Sequence, residues 1–120
     1  MTPFGTRLRE LRAQRGVSQT QMAADLGLSA AYLSALEHGR RPRPTPGLVR
    51  QICGYFGLIW DDADALAALA QRSRPKVTID TGGLSPRATE LANLLAERID
   101  RLSEAELKAL IHLVGKANAL

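Results

Sequence analysis

The fold is decided by residues 19–37, which read QTQMAADLGLSAAYLSALE. Apolar residues recur at helical spacing on both sides of Gly27, which predicts two short helices joined by a tight glycine turn. Ala23 must be small because the second helix crosses over it. The face predicted to be buried consists of Met22, Ala23, Leu26, Leu28, Leu33 and Leu36. The face of the second helix predicted to stay outside consists of Ala30, Ala31, Ser34, Ala35 and His38.

Capping signals stand at both predicted helix starts. Ser18 is followed three residues later by Gln21, which indicates a capping box, and Ser29 is placed to cap the second helix. An amphipathic helix pair with a glycine turn is also an ordinary part of helical bundles. Arginines flank this pair on both sides, which favours a nucleic-acid surface over a purely structural pair.

Positive charge is concentrated around the helix pair. Residues 1–59 carry eight arginines and three carboxylates, a net charge of +5. Residues 60–120 carry eight basic and nine acidic residues, a net charge of −1. Neutralising DNA phosphates requires such a concentration, whereas a charged cluster without a partner is usually a solvated face. The segregation of charge favours DNA binding.

Composition excludes several classes of protein. A hydrophobic content of 45% with only 4% aromatic residues means that Leu, Ala, Val and Ile must fill the core, which favours helices. No apolar run of about 18 residues and no signal-peptide stretch occur, so we expect a cytoplasmic protein with no membrane partner. We expect no enzyme, because no Ser/His/Asp, Cys/His or paired-carboxylate constellation is visible.

The single cysteine and two histidines predict neither a metal site nor a cofactor. Cys53 lies in an apolar run and is interpreted as a small buried hydrophobe, and a lone cysteine allows no intrachain disulfide. His38 and His112 are far apart and lack carboxylates at ligand or catalytic spacing.

Three further helices are predicted around the pair. The first spans about residues 6–15. Residues 40–44, RRPRP, form a stiff basic loop because prolines prevent helix continuation. The next helix spans about residues 46–56, and the last begins near residues 61–62. The residues predicted to face inward are Leu8 and Leu11 in the first of these helices and Leu66, Leu69 and Ala70 in the last.

The pattern changes after the fifth helix. Residues 73–84 contain a proline, the alternation KVTID and two glycines, which indicates a linker or a short strand that would need a partner strand from a second copy. Residues 85–120 show two amphipathic helices, one capped by Ser85 and one by a capping box of Ser103 and Glu106. Their apolar stripes are Ala88, Leu91, Leu94, Leu95, Ile99 and Leu102, and Leu107, Leu110, Ile111, Val114 and Ala117. A dimer partner or the N-terminal bundle must cover them.

The chain from about residue 4 to residue 60 resembles the Cro/cI-like helix-turn-helix family, also called the xenobiotic-response-element-like (XRE) family. The resemblance rests on LRELRAQRGVSQTQMA, LGLSAAYLSALEHGRR and LVRQICGYFGL. Members are mostly bacterial and phage transcription regulators. The resemblance implies an all-α fold with a five-helix DNA-binding bundle at 1–72. A linker or short strand at 73–84 and a helical dimerisation region at 85–120 complete the expected organisation.

The resemblance also implies residue roles, because in this family the second helix of the motif enters the major groove. The matching positions are Ser29, Ala30, Ala31, Ser34 and Ala35, and the neighbours with longer reach are Tyr32, His38, Arg40, Arg41 and Arg43. Tyr32 either contacts the DNA backbone or packs as a rim residue. Gln19 matches a position that binds phosphate. Arg12 and Glu37 match a salt bridge that fixes the second helix and leaves the arginine near a phosphate.

The function implied is a sequence-specific DNA-binding transcription regulator, most simply a homodimeric repressor on an inverted-repeat operator. One alternative is a DNA-binding antitoxin whose C-terminal helices bind a toxin. Another is a protein-interaction module that binds no DNA. The expected partners are therefore double-stranded DNA and a second copy of the chain, with a different protein on the C-terminal helices as the alternative.

Overall fold

A computed structural model describes residues 1–117, which form seven α-helices and one short 3₁₀ turn. They fall into two compact units, Met1–Val77 and a unit that begins at Thr78. The first unit contains α1 (Pro3–Arg15), α2 (Gln19–Leu26), α3 (Ala30–Glu37), α4 (Pro46–Phe56) and α5 (Trp60–Gln71). The second contains α6 (Pro86–Arg98), the 3₁₀ turn (Ile99–Arg101) and α7 (Glu104–Lys116). The prediction of an all-α fold is confirmed.

The predicted helix pair is present as α2 and α3, and local sequence signals delimit it. The Ser18 hydroxyl accepts a hydrogen bond from the Gln21 backbone N–H at 3.0 Å. The Gln21 side chain donates to Asp25 at 2.7 Å instead of returning to Ser18, so only the serine half of the predicted capping box forms. Gly27 ends α2 with φ 72° and ψ 28°, the left-handed conformation in which a Cβ would be strained.

α1 begins at Pro3, earlier than the predicted start near residue 6. The Thr2 hydroxyl accepts a hydrogen bond from the Gly5 N–H at 3.0 Å, and Pro3 occupies the first turn. Gly5 lies against the end of α3, because a Cβ on it would overlap the carbonyl of Glu37. The first turn of α1 is thus in close contact with the last turn of α3.

The five helices α1, α2, α3, α4 and α5 share one apolar core. α1 packs against α3 and α5, α2 packs against α3 and α4, and α4 packs against α5. The core consists of Phe4, Leu8, Leu11, Met22, Ala23, Leu33, Leu36, Leu48, Val49, Ile52, Cys53, Phe56, Leu66 and Ala70. The residues predicted to be buried that remain partly exposed are Leu26, Leu28 and Leu69. Burial raises the pKa of the Cys53 thiol, in keeping with a structural role.

Trp60 is the most exposed large apolar residue of the first unit. It opens α5 with φ 54°, and it is the only residue other than glycine in residues 1–117 with a positive φ. Its side chain is 82% exposed, and Ile59 beside it is 65% exposed. The only tryptophan of the chain therefore lies outside the core, at the turn between α4 and α5.

The second unit has no core of its own within the described chain. Neither α6 nor α7 contains a buried residue. α6 ends at Arg98, so Ile99 lies in the 3₁₀ turn and not on the predicted helix. The most exposed apolar side chains of the unit are Ile79, Leu84, Leu91, Ile99, Ile111, Leu113 and Val114. Residues 118–120 of the predicted dimerisation region lie outside the described residues.

Both predicted caps of the second unit are formed. Ser85 caps α6 through the Ala88 N–H, and Ser103 and Glu106 form both hydrogen bonds of a capping box at 3.1 and 3.0 Å. The hydrogen bond from the Ser103 backbone lowers the pKa of Glu106. The KVTID segment forms no strand within the described chain. Among helices of residues 1–117, none has the length and apolar character needed to span a membrane.

Candidate nucleic-acid interface

A buried ion pair holds α3 in place. The Arg12 guanidinium of α1 donates to both carboxylate oxygens of Glu37, with Nη1 to Oε2 at 2.5 Å and Nη2 to Oε1 at 3.0 Å. Arg12 is only 7% exposed and Glu37 is 0% exposed. The two parallel hydrogen bonds fix both the position and the rotation of the last turn of α3. The pair implied by the resemblance is therefore present, and most of the guanidinium is turned inward.

Gln19 joins the same cluster from the first turn of α2. Its Nε2 donates to Glu37 Oε1 at 3.2 Å, and its side chain is partly buried. Glu37 thus accepts hydrogen bonds from both α1 and α2. The backbone N–H groups at the start of α2 lie beside this amide and are the donors that a phosphate would meet there.

The face of α3 assigned to DNA reading is only partly open. Ala31 and His38 are exposed, whereas Ser34 and Ala35 are partly buried. Ala30 packs against the core, which corrects its assignment to the outer face. The physical reason is its place at the start of α3, close to Leu28 of the preceding turn, which packs against the same core.

The polar groups of this face are partly engaged within α3. The Ser29 hydroxyl accepts a hydrogen bond from the Tyr32 N–H at 3.0 Å and so caps the helix as predicted. His38 Nδ1 lies 2.9 Å from the Ser34 carbonyl oxygen. The imidazole is thereby held against the end of α3, while the Ser34 hydroxyl remains on the partly open face.

Tyr32 packs against the core of the first unit, and its ring also contacts a cation. Its side chain is partly buried against the core. The guanidinium of Arg41 lies over its ring, 5.6 Å from the centroid. A cation over an aromatic face is attracted by the ring quadrupole. Tyr32 therefore connects the basic loop to the body of α3.

The basic loop after α3 contains two kinds of arginine. Arg40 and Arg41 are exposed, and Arg41 lies over the Tyr32 ring. Arg43 is exposed as well, and its Nη1 donates to Gln71 Oε1 of α5 at 2.5 Å. Arg40 and Arg41 consequently present positive charge beside α3, whereas Arg43 ties the loop to the end of α5.

Two contacts are not predicted from the sequence: one between the N-terminus and the end of α3, and one that joins the segment after α5 to α1. The Thr2 N–H and hydroxyl both donate to the Glu37 carbonyl oxygen, at 2.9 and 3.2 Å. The buried Ser73 hydroxyl accepts from the Phe4 N–H at 3.0 Å and donates to the Leu69 carbonyl at 2.6 Å. The first unit therefore includes residues 73–77, which the sequence pattern assigns to the linker. The Thr-Pro pair at residues 2–3 is the signal that points to the earlier start of α1.

The titratable groups near α3 are engaged in structure. Glu37 is held in its ion pair, and Asp25 accepts a hydrogen bond from the Tyr55 hydroxyl at 2.6 Å. That hydrogen bond to Asp25 raises the pKa of Tyr55. Residues 1–117 contain no cluster of three or more His, Cys, Asp and Glu side chains able to hold a metal ion. The chemistry available at this surface is thus hydrogen bonding and positive charge.

Comparisons with known proteins identify the family of the chain. A family model described as a helix-turn-helix domain matches residues 3–66. The uncharacterized HTH-type transcriptional regulator RghRB of Bacillus subtilis (strain 168) is 34% identical over 71 residues, covering 59% of this chain and 51% of the relative. The HTH-type transcriptional repressor RghR of the same strain is 38% identical over 65 residues, covering 50% of this chain and 48% of the relative.

A third relative matches a smaller share of its own length. The HTH-type transcriptional regulator RamB of Mycobacterium tuberculosis (strain CDC 1551 / Oshkosh) is 42% identical over 57 residues, 48% of this chain and 12% of the relative. The chain spans about half the length of the two Bacillus relatives. No solved structure matches the chain. Since the family model covers more than half of the sequence, the chain belongs to the helix-turn-helix family, among the XRE-like transcription regulators.

Proposed function

We propose that the chain is a sequence-specific DNA-binding transcription regulator that acts as a homodimer on an inverted-repeat operator, most simply as a repressor. The observation that carries the proposal is the fixed position of α3 between a buried ion pair and an exposed pair of arginines. The bidentate Arg12–Glu37 contact sets the rotation of the helix. Arg40 and Arg41 follow it directly on the surface.

Base reading on this surface depends on small side chains. Ala31 offers a methyl group to thymine, and Ser34 offers a hydroxyl to a base edge. Neither side chain can make the bidentate contacts by which Arg or Asn distinguishes G or A. Specificity therefore rests on close approach of α3 to the groove, with Arg41 and His38 as the longer neighbours. The backbone N–H groups at the start of α2, beginning with that of Gln19, supply the phosphate contact that sets the register.

The proposed homodimer explains why, in a single chain, the apolar side chains are uncovered in the second unit. Its helices bury no residue of their own, and Ile111, Leu113 and Val114 on α7 are each more than half exposed. Helices of 13 residues are marginal in water unless an apolar face is packed. A second copy presents the same apolar faces and covers them isologously under two-fold symmetry. Two helix-turn-helix units then meet half-sites about one helical turn apart.

The test is duplex binding at several salt concentrations with the variant Arg40→Gln/Arg41→Gln. We expect weaker binding and a slope of log affinity against log salt that is shallower by about 0.9 for each phosphate that is no longer neutralised. The matched control is Arg87→Gln/Lys108→Gln, which removes the same charge from exposed positions of the second unit. Equal behaviour of the two double variants would remove the basic loop from the interface.

A DNA-binding antitoxin is the second candidate, favoured by the same uncovered faces of α6 and α7. In that case the apolar stripes are covered by a toxin instead of a second copy. Sedimentation of the purified chain separates the two functions. A stable dimer supports the homodimeric regulator, whereas a monomer that forms a heteromer with the product of a neighbouring gene supports the antitoxin.

A further inference from the structure

A further group of cations lies outside the surface described above, at residues 72–76, which read RSRPK. Arg72, Arg74 and Lys76 are all exposed. No acidic residue occurs between Asp64 and Asp80, so no carboxylate of the same segment neutralises them. The ion pairs of residues 1–117 involve none of the three. From the sequence alone, most of this stretch is only the start of a linker.

The base of this segment is fixed to the bundle. Ser73 is 4% exposed, and its hydroxyl links the Leu69 carbonyl of α5 at 2.6 Å to the Phe4 N–H of α1 at 3.0 Å. A flexible tether would have to lose conformational entropy when its cations met a ligand. This entropic cost is smaller for the residues next to Ser73, because Ser73 is already fixed to α1 and α5.

The segment emerges beside the end of α3. A Cβ built on Gly39 would lie 3.5 Å from Cβ of Pro75, which places the proline ring against the first residues after α3. Arg43 of the basic loop donates to Gln71, the last residue of α5, at 2.5 Å. Two separate contacts thus bring residues 72–76 next to the loop that carries Arg40 and Arg41.

The distribution of charge along α5 makes its C-terminal end, where residues 72–76 follow, the end that a polyanion attracts. Asp61, Asp62 and Asp64 stand in its first turns, and Arg72 and Arg74 follow its last residue. A helix of 12 residues separates the two groups by about 18 Å. Such a separation orients the molecule in the field of DNA, with the acidic end away from the phosphates.

From these contacts we infer that residues 72–76 are a second DNA-contacting element, in which Arg74 and Lys76 bind backbone phosphates next to the groove that α3 enters. The inference rests on the proposed function and adds a contact region to it. Phosphate contacts carry no base information. The segment therefore strengthens binding to any duplex, and it places the connection to the second unit at the DNA surface.

The experiment compares Arg74→Gln/Lys76→Gln with the unaltered chain on two probes, a random-sequence duplex and the best duplex selected from a random pool. We expect the salt slope to become shallower by about 0.9 per contact, hence by about 1.8 for both. At 0.1 M salt, affinity should fall by on the order of tenfold per contact, equally for both probes. The control Arg87→Gln/Lys108→Gln lies on the helices of the proposed dimer, so its sedimentation mass is measured first. With the mass of the unaltered chain, it should also retain the slope of the unaltered chain.

The possible outcomes distinguish failure of this inference from failure of the proposed function. An unchanged slope for Arg74→Gln/Lys76→Gln, with a shallower slope for Arg40→Gln/Arg41→Gln, overturns the inference and leaves the proposed function standing. Failure of the unaltered chain to bind either duplex at low salt overturns the proposed function itself. A change in the sedimentation mass of Arg74→Gln/Lys76→Gln would assign these cations to the dimer and would also overturn the inference.

Discussion

At the scale of single residues, the Glu37 side chain has the largest structural role in the candidate interface. It is fully buried, and it accepts hydrogen bonds from Arg12 and Gln19 while its backbone carbonyl accepts two from Thr2. Burying a charge is costly unless the charge is paired and hydrogen-bonded. Every donor around Glu37 therefore serves to hold one turn of α3.

Removing one partner of this pair should destabilise the bundle strongly. We expect Arg12→Met to lower the free energy of unfolding by about 3–5 kcal/mol, because Glu37 is left buried without its cation. The double change Arg12→Met/Glu37→Leu should recover much of the loss, since no uncompensated charge remains. Urea denaturation followed by circular dichroism measures both. A single variant as stable as the original chain would show that the pair is solvated in solution.

Ser34 tests base reading with little effect on the fold. We expect Ser34→Ala to change the preference at one base pair by roughly 1 kcal/mol, because one hydroxyl is removed from the partly open face of α3. Affinity for a random duplex should stay the same and serves as the internal control. The readout is the set of duplexes selected by each protein from a random pool, and identical sets would show that Ser34 reads no base.

At the scale of elements, glycines with opposite backbone requirements give a matched pair of substitutions. Gly27 ends α2 with φ 72°, whereas Gly54 lies within α4 with open space around its Cα. We expect Gly27→Ala to destabilise the bundle by about 1 kcal/mol. Gly54→Ala should stabilise it by about 0.5–1 kcal/mol. Thermal unfolding of both variants checks the signs, and a shift in the same direction would contradict the assigned turn.

Short-range signals explain which elements are predictable from the sequence. The serine caps at Ser29, Ser85 and Ser103 are formed as predicted, and Ser18 forms its half of the predicted capping box, because each is a contact between residues three positions apart. The inner faces of α1 to α5 follow from periodicity for the same reason. The Arg12–Glu37 pair is implied only by resemblance to a family, since its partners are separated by 25 residues.

The parts that escape prediction depend on contacts between distant residues. Ser73 meets Phe4 across 69 positions, and Thr2 meets Glu37 across 35. No local pattern encodes either contact, which is why residues 73–77 look like a linker in the sequence. The partial burial of Ala30 and the inward use of the Gln19 amide likewise depend on how α2 and α3 meet other elements.

At the scale of the whole molecule, the two units differ in their capacity to fold alone. The unit Met1–Val77 has a shared core, whereas the helices of the second unit contain no buried residue. A chain truncated after Val77 should therefore remain helical and be monomeric, and it should bind duplex more weakly because it can engage only one half-site at a time. Retaining Ser73 matters for this design, since its hydroxyl joins α1 to α5.

Sedimentation of the full and truncated chains, together with duplex titrations of each, measures this prediction. A full chain that is dimeric beside a truncated chain that is monomeric is the expected result. A truncated chain that still dimerises would place the dimer contact within the first unit, and a monomeric full chain would contradict the homodimer.

The position of Trp60 also determines which optical signal can follow these events. Trp60 is 82% exposed at the turn between α4 and α5, and no other tryptophan occurs in the sequence. Fluorescence emission of the native chain should already resemble that of indole in water and should shift little when the bundle unfolds. The same emission would move to shorter wavelength if another molecule covered this turn. The chain therefore carries a built-in reporter of docking at that turn, and one that is nearly silent to denaturation.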